Sequence, residues 1–194
     1  YYFKVAAKNS VGTGSYSAAS ADATPTMPTL TISYAAGSGS GTAPVSPVSV
    51  LSGSTFTTPT NTYTRTGYTF AGWSDGLATY AAAATYPSSG TVASNVTLTA
   101  QWTANTLTVT YNSQSGSSIT AGSTSTGGSV AVSPGTPTRT GYTFAGWFVA
   151  TSGGSAITFP YAHGQTADFT LYAQWTANTL TVTYNSQSGS SITA

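Results

Sequence analysis

Apolar and polar residues alternate with a period of two in several short stretches of the chain. Leu107, Val109 and Tyr111 fall on one face while Thr106, Thr108 and Thr110 fall on the other, the pattern of a half-buried strand. Val96, Leu98, Ala100 and Trp102 share a face in the same way, as do Phe169, Leu171, Ala173 and Trp175. Clusters of Pro, Gly and Ser separate these stretches, and a further short strand is predicted through Tyr68 and Phe70 and again through Tyr142 and Phe144. Strict alternation would place Trp73 on the face opposite Tyr68 and Phe70, so Gly72 is the predicted site of a bulge or bend that returns the indole to the core. No segment shows a convincing helical period, the best candidate being the Ala-rich run Tyr80 to Tyr86. The expectation is a mostly β chain with little helix.

The strand pattern is repeated. The segment Thr64-Arg-Thr-Gly-Tyr-Thr-Phe-Ala-Gly-Trp73 returns letter for letter at Thr138 to Trp147, and Ala100 to Ala121 returns at Ala173 to Ala194, the mark of tandem duplication. One unit spans 29–103 and opens with Thr-Leu-Thr-Ile-Ser-Tyr34; a second spans 106–176 and opens with Thr-Leu-Thr-Val-Thr-Tyr111. A third opening, 179–194, is predicted to supply the first strand of a truncated copy. The joints Thr103-Ala-Asn105 and Thr176-Ala-Asn178 are short enough to limit bending between copies. Ahead of the repeats, 21–28 reads as an extended linker because its prolines favour open backbone and lack a donor.

Composition narrows the function. Only 4% of the 194 residues are charged, Glu is absent, and the basic residues are Lys4, Lys8, Arg65 and Arg139; an ordinary domain carries about 25%. No clustered basic patch exists to bind phosphates, so nucleic acid and anionic membrane are not expected as partners. No membrane-inserting run is present in this segment. Aromatic residues make up 12%, which provides core material that Ser- and Gly-rich disordered chains lack. Without Cys there are no disulfides and no thiolate chemistry.

The alternating Leu-Thr-Val-Thr-Tyr opening, the Thr-Arg-Thr-Gly-Tyr-Thr-Phe-Ala-Gly-Trp centre and the Leu-Tyr-Ala-Gln-Trp-Thr close resemble the Listeria-Bacteroides repeat, also called the internalin B-repeat. The resemblance implies small β-grasp-like modules strung in tandem in bacterial surface proteins, with no catalytic residues to carry over. The chain departs from the usual pattern in its near absence of charge, and in having Leu98-Thr99-Ala100 where the second copy has Leu171-Tyr172-Ala173. Residues 1–20 are similar to the last two strands of a fibronectin type III domain, a β-sandwich fragment in which Tyr1 would take the place of the corner tyrosine.

Candidate chemistry is sparse. His163 and Asp168 lack a nucleophile elbow, and the first repeat has no His. Three scattered acids build neither a glycosidase pair nor a calcium cage, and both lysines lie outside the repeats, which excludes Lys to Asn cross-links there. No enzyme activity, metal or cofactor is expected. The four Trp recur at matching positions and read as core. Tyr172, on the face opposite Leu171, and Arg65 and Arg139, each preceding an aromatic strand, are the candidate binding residues. The leading expectation is a structural, adhesion-related stalk or spacer in an extracellular or cell-surface bacterial protein, with neighbouring repeats as partners. The alternatives are a glycan- or host-protein-binding module using Tyr-rich faces, a non-catalytic appendage of a large secreted enzyme, and a fibre subunit that self-assembles by strand complementation through Thr179 to Tyr184.

Overall fold

The computed structural model describes residues 3–19, 26–45, 47–185 and 187–189. Among these residues the chain is all strand, turn and loop, with no helix. A short hairpin comes first, β1 (Lys8–Asn9) against β2 (Gly12–Thr13). It is extended by the hydrogen bonds Gly14 N to Ala7 O and Ser17 N to Val5 O, and Asn9 closes its turn by accepting from Val11 N. Its apolar side chains Phe3, Val5, Val11 and Tyr16 are all exposed. Tyr1 and most of the linker 21–28 lie outside the described residues.

The first repeat supplies β3 (Thr29–Ala35), β4 (Val48–Leu51), β5 (Phe56–Thr57), β6 (Tyr68–Ser74), β7 (Thr79–Tyr80), β8 (Thr85–Tyr86) and β9 (Val96–Ala104). Five of them form a sheet in the order β4-β3-β9-β6-β7, and β5 pairs with β8 apart from it. The second supplies β10 (Thr106–Asn112), β11 (Gly122–Ser125), β12 (Ser129–Val130), β13 (Tyr142–Phe148), β14 (Tyr161–Ala162) and β15 (Phe169–Ala177), with sheet order β11-β10-β15-β13 and a separate β12-β14 pair. In both copies the opening and closing strands lie side by side and parallel at the centre of the sheet, Ile32 opposite Val96 and Val109 opposite Phe169. By compactness the chain divides into two units, Tyr1–Gly37 with Thr42–Thr62 and Gly72–Ala100, and Ser38–Gly41 with Tyr63–Ala71 and Gln101–Ala194.

The period-two faces explain the cores. In β10, Leu107, Val109 and Tyr111 are buried while the intervening Thr are exposed. Val109, Leu171 and Ala173 are fully enclosed together with Trp147 and Val130. Ile32, Trp73 and Leu98 occupy the corresponding places in the first copy, each with no exposed surface. Burying side chains of this size stabilises a fold by about 1.5–3 kcal/mol each, while the outward Thr stay hydrated.

In the second copy a glycine bulge occupies the position that matches Gly72. In β13 the pairing with β15 slips between Phe144 and Gly146, and Gly146 has φ of 135°. The slip rotates Trp147 to the face already held by Phe144, whose ring centroid lies 5.6 Å away. Gly72 has φ of 145° at the matching position.

The Ala-rich run Tyr80 to Tyr86, which carries no convincing helical period, forms no helix; residues 81–84 turn the chain from β7 into β8. Buried Thr58 organises the turn, its hydroxyl donating to Ala81 O and accepting from Ala84 N; the run is too short to hold a helix against that competing side chain. One expectation fails: the segment 179–185 forms no strand and leaves Leu180, Val182 and Tyr184 exposed. It repeats the residues of β10, but β10 is held by β11 on one side and β15 on the other, and 179–185 has no such ladder among the described residues.

Candidate functional site

Both arginines stack on the tyrosine that opens the strand after them. Arg65 lies 3.5 Å from the ring centroid of Tyr68, and Arg139 lies 3.9 Å from that of Tyr142. The turn is local, Tyr68 N bonding Arg65 O and Tyr142 N bonding Arg139 O, so the Arg-Thr-Gly-Tyr spacing itself folds the guanidinium back over the ring. Arg139 also faces Trp175 at 6.0 Å and donates from Nη1 to Gln114 O.

Beside Arg139 lies a shallow cavity of about 220 Å³ walled by Gln114, Thr151, Gln174 and Trp175. Its polar groups serve the protein's own backbone. The Gln114 amide donates to Thr151 O and Ala173 O, the Gln174 amide to Ala150 O and Gly153 O, and the Trp175 indole to Ser113 O. Gly116 lies so close under the indole that a Cβ there would collide with it. The two glutamines were not singled out from sequence; the recurring Ala-Gln-Trp at 100–102 and 173–175 was an available signal for Gln174 alone. A larger groove of about 450 Å³, lined by Tyr111, Ile119, Val130, Val132 and Pro134, was likewise not foreseen.

Tyr172 lies on the outward face of β15, half-buried, opposite Phe148 in one neighbour and Asn112 in the other. Arg139, which precedes β13, reaches Trp175 on the face of β15 opposite Tyr172, and Tyr172 does not line the cavity beside Arg139. The four Trp divide into two classes. Trp73 and Trp147 are buried, with Nε1 donating to Pro59 O and Gly135 O, whereas Trp102 and Trp175 are half-buried.

His163 and Asp168 do not form a catalytic pair. Gln165 N donates to His163 Nδ1, which leaves the proton on Nε2 facing the Thr124 hydroxyl at 3.1 Å; that hydroxyl in turn donates to Ser129 O. Asp168 instead accepts from Thr108 N at 2.7 Å, and Asn95 accepts from Thr31 N at 2.8 Å in the first copy. A neutral amide doing the same work identifies the Asp168 position as a cap on the parallel strand pair. Asp75 is a second internal hub. Burial pushes its carboxyl up, but the N–H groups of Ala78 and Leu77 and the hydroxyls of Tyr80 and Tyr86 outweigh this and hold it below the usual range. Tyr86, buried and facing that carboxylate, is pushed up to about 12. Among the described residues no buried side-chain polar atom lacks a partner, and no three His, Asp or Glu side chains gather as metal ligands.

Burial pushes the His163 imidazole below the ordinary histidine range. The unfolded chain therefore binds the proton more readily, so this contribution to stability is complete above about pH 6.5 and declines as pH falls. Thermal unfolding should show a lower midpoint at pH 5 than at pH 7.5, with the slope flattened in His163→Gln. An unchanged slope in the variant would assign the pH dependence elsewhere.

Comparison with known proteins finds the same tandem duplication. The chain is 36% identical over 115 residues to Internalin H of Listeria monocytogenes serovar 1/2a (strain ATCC BAA-679 / EGD-e). That match takes in 59% of this chain and only 20% of the relative, so the chain spans about a fifth of the protein it resembles. The model of the Listeria-Bacteroides repeat domain matches twice in tandem, at residues 31–101 and 108–174, and the chain belongs to the Listeria-Bacteroides repeat family.

Proposed function

We propose that these tandem repeats are a non-enzymatic, load-bearing spacer in an extracellular bacterial surface or fibre protein that serves adhesion. One observation carries the reading: the first and last strands of each repeat are adjacent and parallel, β3 with β9 and β10 with β15. Force entering at the start of β10 and leaving at the end of β15 pulls the two strands past one another. Their slanted hydrogen bonds are then loaded together in shear, whereas an antiparallel hairpin pulled from its open end unzips one bond at a time. The internal use of the glutamine amides and of Asp75, Asp168 and His163 supports a scaffold over a reactive site. The resemblance to Internalin H supports the surface location. The hairpin β1-β2, with its exposed apolar side chains, fits the close of a preceding fibronectin type III-like module.

Single-molecule stretching tests the reading. Each repeat should unfold in one event that releases roughly 20–25 nm of chain, at forces well above those of the β1-β2 hairpin. Gradual extension without distinct events would sink the load-bearing role. The same compactness should limit proteolysis: native protein treated with trypsin should be cut at exposed Lys4 and Lys8 well before Arg65 and Arg139, which are half-buried against their rings. Equal rates at all four sites would argue against folded repeats.

A second reading, glycan binding, is favoured by the Arg139 and Trp175 cavity alone. Saturable binding of this chain to a glycan, lost in Arg139→Ala, would support it.

A further inference from the structure

The joint after the first repeat is built around Asn105. Its N–H donates to Gly67 O at 2.9 Å, and its side-chain oxygen accepts from the Thr69 hydroxyl at 2.7 Å. From the second repeat, Thr126 reaches the same point: its hydroxyl donates to Gly67 O at 2.7 Å and its N–H to Asn105 O at 2.9 Å. Thr126 is 5% exposed. Gly127, next in the turn, donates to Gln165 O. All of these residues belong to the same compact unit.

Gly67 makes the close approach possible. It has φ of 78°, and a Cβ there would lie 2.7 Å from Thr126 Cγ2 and 3.0 Å from Thr166 Cβ. The second copy carries the same platform. Asn178 N donates to Gly141 O at 2.9 Å, the Thr143 hydroxyl donates to the Asn178 side chain at 2.7 Å, and Gly141 again has φ of 78°. Here no described residue lies within 4 Å of the position a Cβ would take. The inserting turn also recurs: Ser52-Gly53 matches Thr126-Gly127, with Ser52 N donating to Pro28 O and Gly53 N to Val92 O.

We propose that Gly67, Thr69 and Asn105 form a socket for the hydroxyl-Gly turn of the following repeat, and that Gly141, Thr143 and Asn178 are the same socket, open to the turn of another copy of this repeat. A hydroxyl and a main-chain N–H enter together, so the contact defines a register between successive copies that apolar packing alone would not. Ser or Thr at the turn supplies the donor, and Gly at the socket keeps the carbonyl within reach. The proposal deepens the spacer reading and rests on it for its mechanical meaning, but its test does not involve force, so the two can fail separately.

Amide hydrogen exchange on the full chain tests the occupied socket. In Thr126→Val, which keeps the branched shape and removes the hydroxyl, exchange at Asn105 should accelerate about tenfold while Val109 and Leu171 in the β10-β15 ladder keep their protection. Gly67→Ala, on the other side of the contact, should accelerate Thr126 without altering that ladder. Protection at Asn105 and Thr126 unchanged in both variants would overturn the lock, as would loss confined to global unfolding of the second repeat. The open socket is tested by continuing the chain past Ala194 with a copy of residues 122–177, which restores the register of the duplication. Exchange at Asn178 should slow about tenfold, and Val at the position repeating Thr126 should reverse this. Equal exchange with Thr and with Val there would overturn the second socket.

Discussion

Replacing Trp147 with alanine should lower the unfolding free energy of the second repeat by about 3–5 kcal/mol, the largest effect of any single side chain in it. The indole is 2% exposed, meets Tyr111 edge-on at 5.2 Å and Phe144 at 5.6 Å, and donates to Gly135 O at 3.0 Å. Truncation removes the transferred apolar area, opens a cavity between strands that cannot collapse around it, and deprives a carbonyl of its partner. A domain of this size has about 5–15 kcal/mol in hand, so the variant should be close to unfolding at ordinary temperature. Denaturant titration followed by circular dichroism measures the change. Trp175→Ala, half-buried on the same sheet, should lose distinctly less. Equal losses at the two positions would mean that the bulge does not divide the Trp residues into core and surface classes.

Gly72→Ala should destabilise the first repeat by about 2–4 kcal/mol, combining backbone strain with overpacking. Its φ of 145° is one that side chains rarely adopt, and a Cβ would fall 2.7 Å from Tyr80 O and 2.6 Å from Thr79 Cγ2. The carbonyl belongs to the strand paired with Trp73, so relief would require the β6-β7 ladder to part. Gly76→Ala provides the comparison: φ is also positive there, 94°, but no described residue lies within 4 Å, so only the strain should register. The thermal midpoints of the two variants separate these contributions. A Gly72→Ala variant as stable as Gly76→Ala would show that the close approach at the bulge is not maintained.

The long strands of each repeat were legible because each carries its own instruction, whereas the short strands between them, such as Val48–Leu51 and Gly122–Ser125, were not. A run such as Leu107-Thr-Val-Thr-Tyr111 offers one apolar face and one hydroxylated face whatever surrounds it, and Gly72 before Trp73 marks a break in alternation that only a bulge reconciles. The duplication made the modules visible, and the family motif implied their kind. Less was legible about the candidate site. The spacing Arg-Thr-Gly-Tyr placed each cation next to an aromatic strand, and the stacking follows from that local turn. Tyr172, by contrast, was selected by strand parity alone, and parity says nothing of which residues stand across the ladder. Gln114 and Gln174 escaped notice because their task, holding the carbonyls of 150–153, depends on a loop brought to them from elsewhere in the chain.

The same division runs through the whole protein. Sequence by itself determined which residues share a face, where the modules recur and how little ionic chemistry is present, because those properties are local or additive. Tertiary structure decided the rest. Thr58 turns an Ala-rich run into a turn by bonding across about two dozen residues of chain, and Asp168 and His163, near neighbours in sequence, are drawn to different partners. Thr106–Asn112 and 179–185 carry identical residues, yet one is a half-buried central strand and the other is exposed with no ladder among the described residues. A strand's hydrogen bonds belong to its neighbours as much as to itself, so its residues can propose a face while only the partners on either side can complete the ladder.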